Sequence, residues 1–208
     1  MKNSLARVVS QPPSDYDIER MQAISLVAQF GVVVLALVQS VAVVRTLSPS
    51  EYGTLGLVAA VGGMVGVYQQ LGLATATAKT VAETSDAVSI ARIYITSLVS
   101  RMAVALPLAL GLFLSSGVVS KHYGQPEMAP SIGLFSLLMI VTGAGEITQA
   151  ALRGLRQFKS VFALRIVTQV LCLVCVLVGV NLARVDGYFL GLLAGNLVAL
   201  ILATLLLG

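Results

Sequence analysis

A chain of 208 residues that is 57% hydrophobic and 11% charged carries more apolar surface than a soluble domain of this size can hide. The short alternating segments of a β-barrel are missing, which in lipid leaves helices that satisfy their own backbone amides. The formal charge of +4 sits between apolar stretches and does not suggest a nucleic-acid surface.

Asp, Glu, Lys and Arg are absent from 21–44, 52–78, 102–120, 128–145, 166–183 and 187–208. Each stretch reaches or nearly reaches the roughly 20 residues that cross a hydrocarbon core. The pattern predicts an all-α, polytopic membrane protein: a polar tail over 1–20 and a bundle of six transmembrane helices over 21–208. The predicted helices cover about 21–44, 52–71, 90–118, 129–152, 163–182 and 187–207. With the N-terminus cytoplasmic, Lys2, Arg7, Arg20, Lys79, Arg92, Arg101, Arg153, Arg156, Lys159 and Arg165 fall inside. Only Arg45, Lys121 and Arg184 fall outside. The positive-inside rule favours this orientation.

In chain order, the tail holds Gln11-Pro12-Pro13-Ser14 as a breaker and is expected to be a cytoplasmic segment rather than a cleaved signal peptide. Helix 1 places Gln22, Ser25, Gln29, Ala36, Gln39 and Ser40 along one face. Amides are costly against lipid, so that face is expected to meet other helices or a wet cavity. The turn Arg45 to Glu51 reads as a capping box, with Ser48 as N-cap, Pro49 at N1 and Glu51 at N3. It predicts a tight hairpin of helices 1 and 2. Gly62 and Gly66 form G-x-x-x-G in helix 2. Residues 73–78 continue that helix, break it, or lie at the surface, and 79–92 reads as a cytoplasmic loop. Pro107 is expected to kink helix 3. Residues 121–127 form a short outer loop, and 153–165 reads as a basic interfacial connection. Gly187, Gly191 and Gly195 repeat at four-residue spacing in helix 6 and predict close helix packing.

The polar groups inside the spans are the candidates for function. Glu146 in helix 4 would cost roughly 2.5–3.5 kcal/mol at a span's centre. Thr142, Glu146, Gln149 and Arg153 recur at i, i+4, i+7 and i+11, a stripe that suits a water-filled cavity. Glu146 either takes up a proton during transport or pairs structurally with Arg153 or Arg101. Arg101 either draws an anionic headgroup into a cavity or snorkels to the interface. Arg45 reads as a candidate at the outer end of helix 1, or as an interfacial anchor. Arg153, Arg156, Lys159 and Arg165 set topology and meet anionic lipid, with substrate contact as the sharper alternative. Gln29 and Gln149 complete the cavity candidates. Cys172 and Cys175 lie within an apolar run and read as small helix residues, and His122 falls in a short loop. Neither a metal cluster nor a catalytic triad can be assembled from such residues, so no enzyme and no cofactor are expected.

Three motifs carry a resemblance. The run Val43-Val44-Arg45-Thr46-Leu47-Ser48-Pro49-Ser50-Glu51-Tyr52-Gly53 resembles a recurring element of bacterial oligosaccharide flippases. These are the polysaccharide-transporter, Wzx-like members of the superfamily that also holds multidrug extruders and lipid II flippases. Leu71-Gly72-Leu73-Ala74-Thr75-Ala76, with Lys79 after it, resembles the family's end of helix 2. Ala151-Leu152-Arg153-Gly154-Leu155-Arg156-Gln157-Phe158 resembles its turn after helix 4. Arg45 and Arg153 fall on motif positions, whereas Arg101 and Glu146 have no motif support.

The resemblance implies two six-helix lobes facing each other across a central cavity, with this chain matching the first. It implies passage of a polyprenyl-diphosphate-linked oligosaccharide across the bacterial cytoplasmic membrane by alternating access, in the biosynthesis of cell-surface polysaccharide such as lipopolysaccharide. The implied partners are that lipid-linked oligosaccharide, membrane lipid, and a C-terminal lobe or second half-chain. A drug or cation antiporter of the same architecture is the first rival, and a non-transporting membrane assembly subunit the second.

Overall fold

The computed structural model describes residues 15–68 and 72–207; side chains before Leu26 and at 27 and 28 lie outside that description. The expected tail therefore lies mostly outside it, as do the side chains of Gln22 and Ser25. The described elements are α1 Asp15–Thr46, α2 Pro49–Val67, α3 Leu73–Ala82, α4 Ala87–His122, α5 Met128–Gly154 and α6 Phe158–Leu207. All but α3 are long and apolar enough to cross a membrane.

The element α6 makes two spans rather than one. A straight helix of its 50 residues would be about 75 Å long, against a hydrocarbon core of about 30 Å. The backbone leaves helical geometry at Ala183 (φ −137°, ψ 23°) and Arg184 (φ 52°, ψ −121°). Past that turn the chain runs back along itself. Gly187 faces Gly179, Gly191 faces Cys175, and Gly195 faces Cys172 at close range. The predicted glycine face of helix 6 is thus the seam of this hairpin, and it lets backbone meet backbone. Among the described residues the result is a multi-pass bundle of six spans plus one short helix.

Element starts are set by local chemistry. Ser48 accepts from the Glu51 amide while Glu51 accepts from the Ser48 amide at 2.8 Å, so the capping box forms as predicted, with Pro49 opening α2. Helices α1 and α2 nevertheless diverge from this turn, and α1 packs on α6. The turn is tight, but the expected hairpin packing is not made, because the polar face of α1 matches polar groups on α6. The 73–78 segment is a break: Gly72 takes φ 71°, which Gly tolerates at no steric cost, and α3 starts beside it. The expected 79–92 loop shrinks to residues 83–86. The Asp86 carboxylate accepts from the Ser89 hydroxyl at 2.8 Å and the Ser89 amide at 3.0 Å, so α4 starts at Ala87, earlier than predicted. Those two bonds hold the Asp86 carboxyl below its ordinary range. The helical assignment of α4 continues through Pro107 to His122, past the expected end. The 153–165 connection narrows to Leu155–Gln157, with Arg156 at φ 57°.

At the centre of the bundle α5 packs against α2, α3, α4 and α6. Its small residues allow this: Arg101 lies against Gly143, and Gly154 against Ala78 and Val81 of α3. The main core joins Val58, Leu112, Met128, Ile132, Met139 and Phe189. Gly62 receives the ring of Phe135, whereas Gly66 faces open space, so the G-x-x-x-G pair seats one aromatic ring rather than a neighbouring backbone. The face where α1 begins, also bearing α3 and the α5–α6 turn, is called the N-face below. The α1–α2 turn, the 123–127 loop and the 183–184 turn lie at the opposite face, tied by Thr54 donating to Gln125 at 2.9 Å and Arg184 donating to the Thr46 carbonyl at 3.0 Å.

Candidate functional site

Between α1 and α6 the bundle is lined with amides and hydroxyls. Two adjoining cavities follow this seam. The larger, about 400 Å³, lies toward the opposite face and is lined by Ala36, Gln39, Ser40 and Val43 of α1, Tyr52 and Leu55 of α2, and Thr168, Gln169, Cys172, Tyr188, Leu192 and Asn196 of α6. The smaller, about 270 Å³, lies toward the N-face and is lined by Gln29, Val32, Val33, Gln149, Arg165, Thr168 and Gln169. Thr168 and Gln169 belong to both, so the cavities form one polar groove.

Helix periodicity builds the groove. Residues 36, 39, 40 and 43 share one face of α1. Arg165, Thr168, Gln169 and Cys172 recur at i, i+3, i+4 and i+7 on the first arm of α6. Tyr188, Leu192 and Asn196 recur at i, i+4 and i+8 on its second arm. Across the seam the Gln169 amide Nε2 donates to Gln39 Oε1 at 3.3 Å. Asn196 Nδ2 donates to the Leu192 carbonyl at 2.8 Å and to Cys172 Sγ at 3.5 Å. Each primary amide offers two donors and two lone pairs, so much of this capacity is left for water or a polar ligand.

The predicted candidates fall into three groups. Gln29 and Gln149 come together in the smaller cavity. Arg101 and Glu146 form an ion pair, Nη2 to Oε2 at 2.7 Å, with side-chain exposures of 5% and 48%. Arg101 is thus buried between α4 and α5 beside Gly143, and only the carboxylate reaches outward. Arg153 is half-buried in the last turn of α5, with its Nε enclosed and without a hydrogen-bond partner among the described residues. Arg45 is exposed at the end of α1 and lines neither cavity. The Thr142–Glu146–Gln149–Arg153 stripe is therefore divided: Gln149 faces the groove and Glu146 faces Arg101. Thr168, Gln169 and Asn196 are groove residues that sequence reasoning missed, whereas Arg165 belongs to the predicted basic connection. The signal for Thr168 and Gln169 was their place with Arg165 and Cys172 on one stripe of an otherwise apolar run. Among the described residues, no three His, Cys, Asp or Glu side chains are grouped to hold a metal ion.

A six-span bundle with a polar seam is the architecture of a membrane-transporter lobe. The chain is similar to the solved outward-facing conformation of a multidrug resistance MATE family transporter of the MOP superfamily. The TM-score is 0.77 at 18% identity, covering 96% of this chain and 48% of that one. The chain spans about half the length of that transporter. Comparison with curated proteins gives no match. Residues 42–207 match the family described as polysaccharide biosynthesis protein. The chain belongs to this family, and its fold matches half of a membrane transporter.

Proposed function

We propose that the chain is the first lobe of a flippase that moves a polyprenyl-diphosphate-linked oligosaccharide across the bacterial cytoplasmic membrane, with the N-face cytoplasmic. A charged glycan headgroup cannot enter hydrocarbon unaided. The lobe offers it a hydrated wall, while the polyprenyl tail stays in lipid. A second lobe, on the same or another chain, closes the other side and rocks against this one.

The observation that carries the reading is the chemistry of the groove. Its polar lining is Gln29, Gln39, Ser40, Gln149, Thr168, Gln169, Asn196, two tyrosines and Arg165, and no carboxylate is among the lining residues. Neutral amides and hydroxyls suit the hydroxyls of a sugar. An exporter of organic cations would favour acidic groups there. Family membership supports the glycan reading independently, and the multidrug transporter shares only the fold.

The test is a strain lacking the gene. The reading expects lipid-linked oligosaccharide to build up in the inner leaflet and surface polysaccharide to fall, with drug tolerance unchanged. Normal surface polysaccharide with heightened sensitivity to cationic drugs would overturn it in favour of the antiporter.

A further inference from the structure

Arg165 stands at the N-face mouth of the groove, and Arg153 lies close to it. Arg153 ends α5 and Arg165 lies two turns into α6, joined by the short turn at Leu155–Gln157. Arg165 lines the smaller cavity beside Gln29 and Gln149. Gln149 is one turn from Arg153 on the same helix, so Arg153, which is not itself among the lining residues, lies beside the opening that Arg165 borders. Arg153 lies within electrostatic reach of Arg165 and of Glu146. The Glu146 carboxylate, however, is already bound to Arg101 at 2.7 Å. Among the described residues the ion pairs are Arg101–Glu146 and Arg184–Glu51, so neither Arg153 nor Arg165 has a carboxylate partner there. The Nε of Arg153 is buried and unpartnered in the same way.

Packing alone does not account for this pair. A cation at the last turn of α5 complements that helix's dipole, which covers Arg153. It does not cover Arg165, which lies near the start of α6, where the first turn holds no acid. Two like charges with no bonded carboxylate among the described residues repel each other, and a bound oxyanion removes that cost. Guanidiniums suit phosphate oxygens because their planar fork donates two parallel hydrogen bonds.

We propose that Arg153 and Arg165 form a seat for a diphosphate at the N-face mouth of the groove, with the amide wall behind it receiving the attached sugars. The inference rests on the flippase reading for the identity of its ligand. The phosphate chemistry alone fits the diphosphate of a lipid-linked glycan or the headgroups of anionic bulk lipid, and the first is the assignment.

The experiment is calorimetric titration of the full chain with inorganic pyrophosphate in nanodiscs of neutral phosphatidylcholine. Saturable binding is expected. Arg153→Gln and Arg165→Gln should each weaken it about tenfold, the scale of one lost charge-assisted contact. Arg165→Lys should recover part of the loss. Arg156→Gln in the same turn and Lys159→Gln at the start of α6, both at exposed positions, should change it less than about twofold. Unchanged thermal midpoints would separate lost binding from lost fold. Equal losses for all four glutamine variants would overturn the seat in favour of a diffuse basic surface. No binding in neutral lipid, together with recruitment of anionic lipid that every variant retains, would overturn it as well. The two readings fail separately. If pyrophosphate binding needs Arg165 while the deletion strain keeps normal polysaccharide, the seat stands and the flippase reading fails. If the strain loses polysaccharide but Arg153→Gln and Arg165→Gln restore it fully and bind pyrophosphate normally, the seat fails alone.

Discussion

Arg101 and Glu146 are bonded at 2.7 Å across the α4–α5 interface, yet the cation is buried and the carboxylate is half exposed, with side-chain exposures of 5% and 48%. This asymmetry predicts unequal costs. Glu146→Gln strands a buried guanidinium and should destabilise by about 2–3 kcal/mol, near the low end for a broken buried pair because only one partner is buried. Arg101→Met leaves an exposed carboxylate and should cost less than about 1.5 kcal/mol, and the double variant should lie close to Arg101→Met alone. Denaturation in detergent of the three variants against the parent checks this. A larger loss for Arg101→Met than for Glu146→Gln would contradict it.

The seam of the α6 hairpin has no room for a side chain. A Cβ at Gly191 would come within 2.5 Å of the Cys175 carbonyl oxygen, and one at Gly195 within 2.8 Å of Cys172 Sγ. Gly191→Val should therefore force the arms apart and lose several kcal/mol, as overpacking of a tight interface does (about 1–3 kcal/mol or more). Gly66→Ala meets nothing within 4 Å and should be neutral or slightly stabilising. Monodispersity and thermal midpoint of the purified proteins read the difference.

Arg184 turns α6 back at φ 52°, ψ −121° and also donates to the Thr46 carbonyl at 3.0 Å. Strained non-glycine backbone costs about 1–3 kcal/mol, while the hydrogen bond returns about 1 kcal/mol. Arg184→Ala keeps the strain and loses the bond, so it should destabilise. Arg184→Gly loses the bond but relieves the strain, so it should equal or exceed the parent in thermal midpoint. An alanine variant more stable than the glycine variant would contradict this balance.

The spans, their order and the capping box were legible because hydrophobic length and a four-residue cap are local signals. The fold of α1 onto α6 was not. The tight Ser48–Glu51 turn implied a hairpin with α2, but complementarity between Gln39 and Gln169, 130 residues apart, decides the packing. Glu146 stood out for its charge, and of the two pairings read for it the one with Arg101 is formed. The neutral groove residues Thr168 and Asn196 drew no notice, since single hydroxyls and amides are tolerated in spans and gain meaning only when three helices bring them together.

The Gln39–Gln169 contact is a weak structural link and a strong functional candidate. Interhelical hydrogen bonds in membranes average about 0.6 kcal/mol. Gln169→Leu and Gln39→Leu should therefore keep near-normal protein levels, while surface polysaccharide falls at least about fivefold, a transport cost of about 1 kcal/mol. Export at parental levels in both variants would remove the groove from the sugar path.

Water in the α1–α6 seam is the condition for everything proposed of it, and thiol labelling measures it directly. In a background with Cys172→Ala and Cys175→Ala, single cysteines are placed at Gln29 and Gln169 in the groove, and at Val41 and Val174 on exposed apolar faces. A membrane-impermeant cationic thiol reagent is then applied from either side of native membranes. The groove positions should react and the two valine positions should not. If positions 29 and 169 were as unreactive from both sides as 41 and 174, the seam would be dry and the transport path would lie elsewhere.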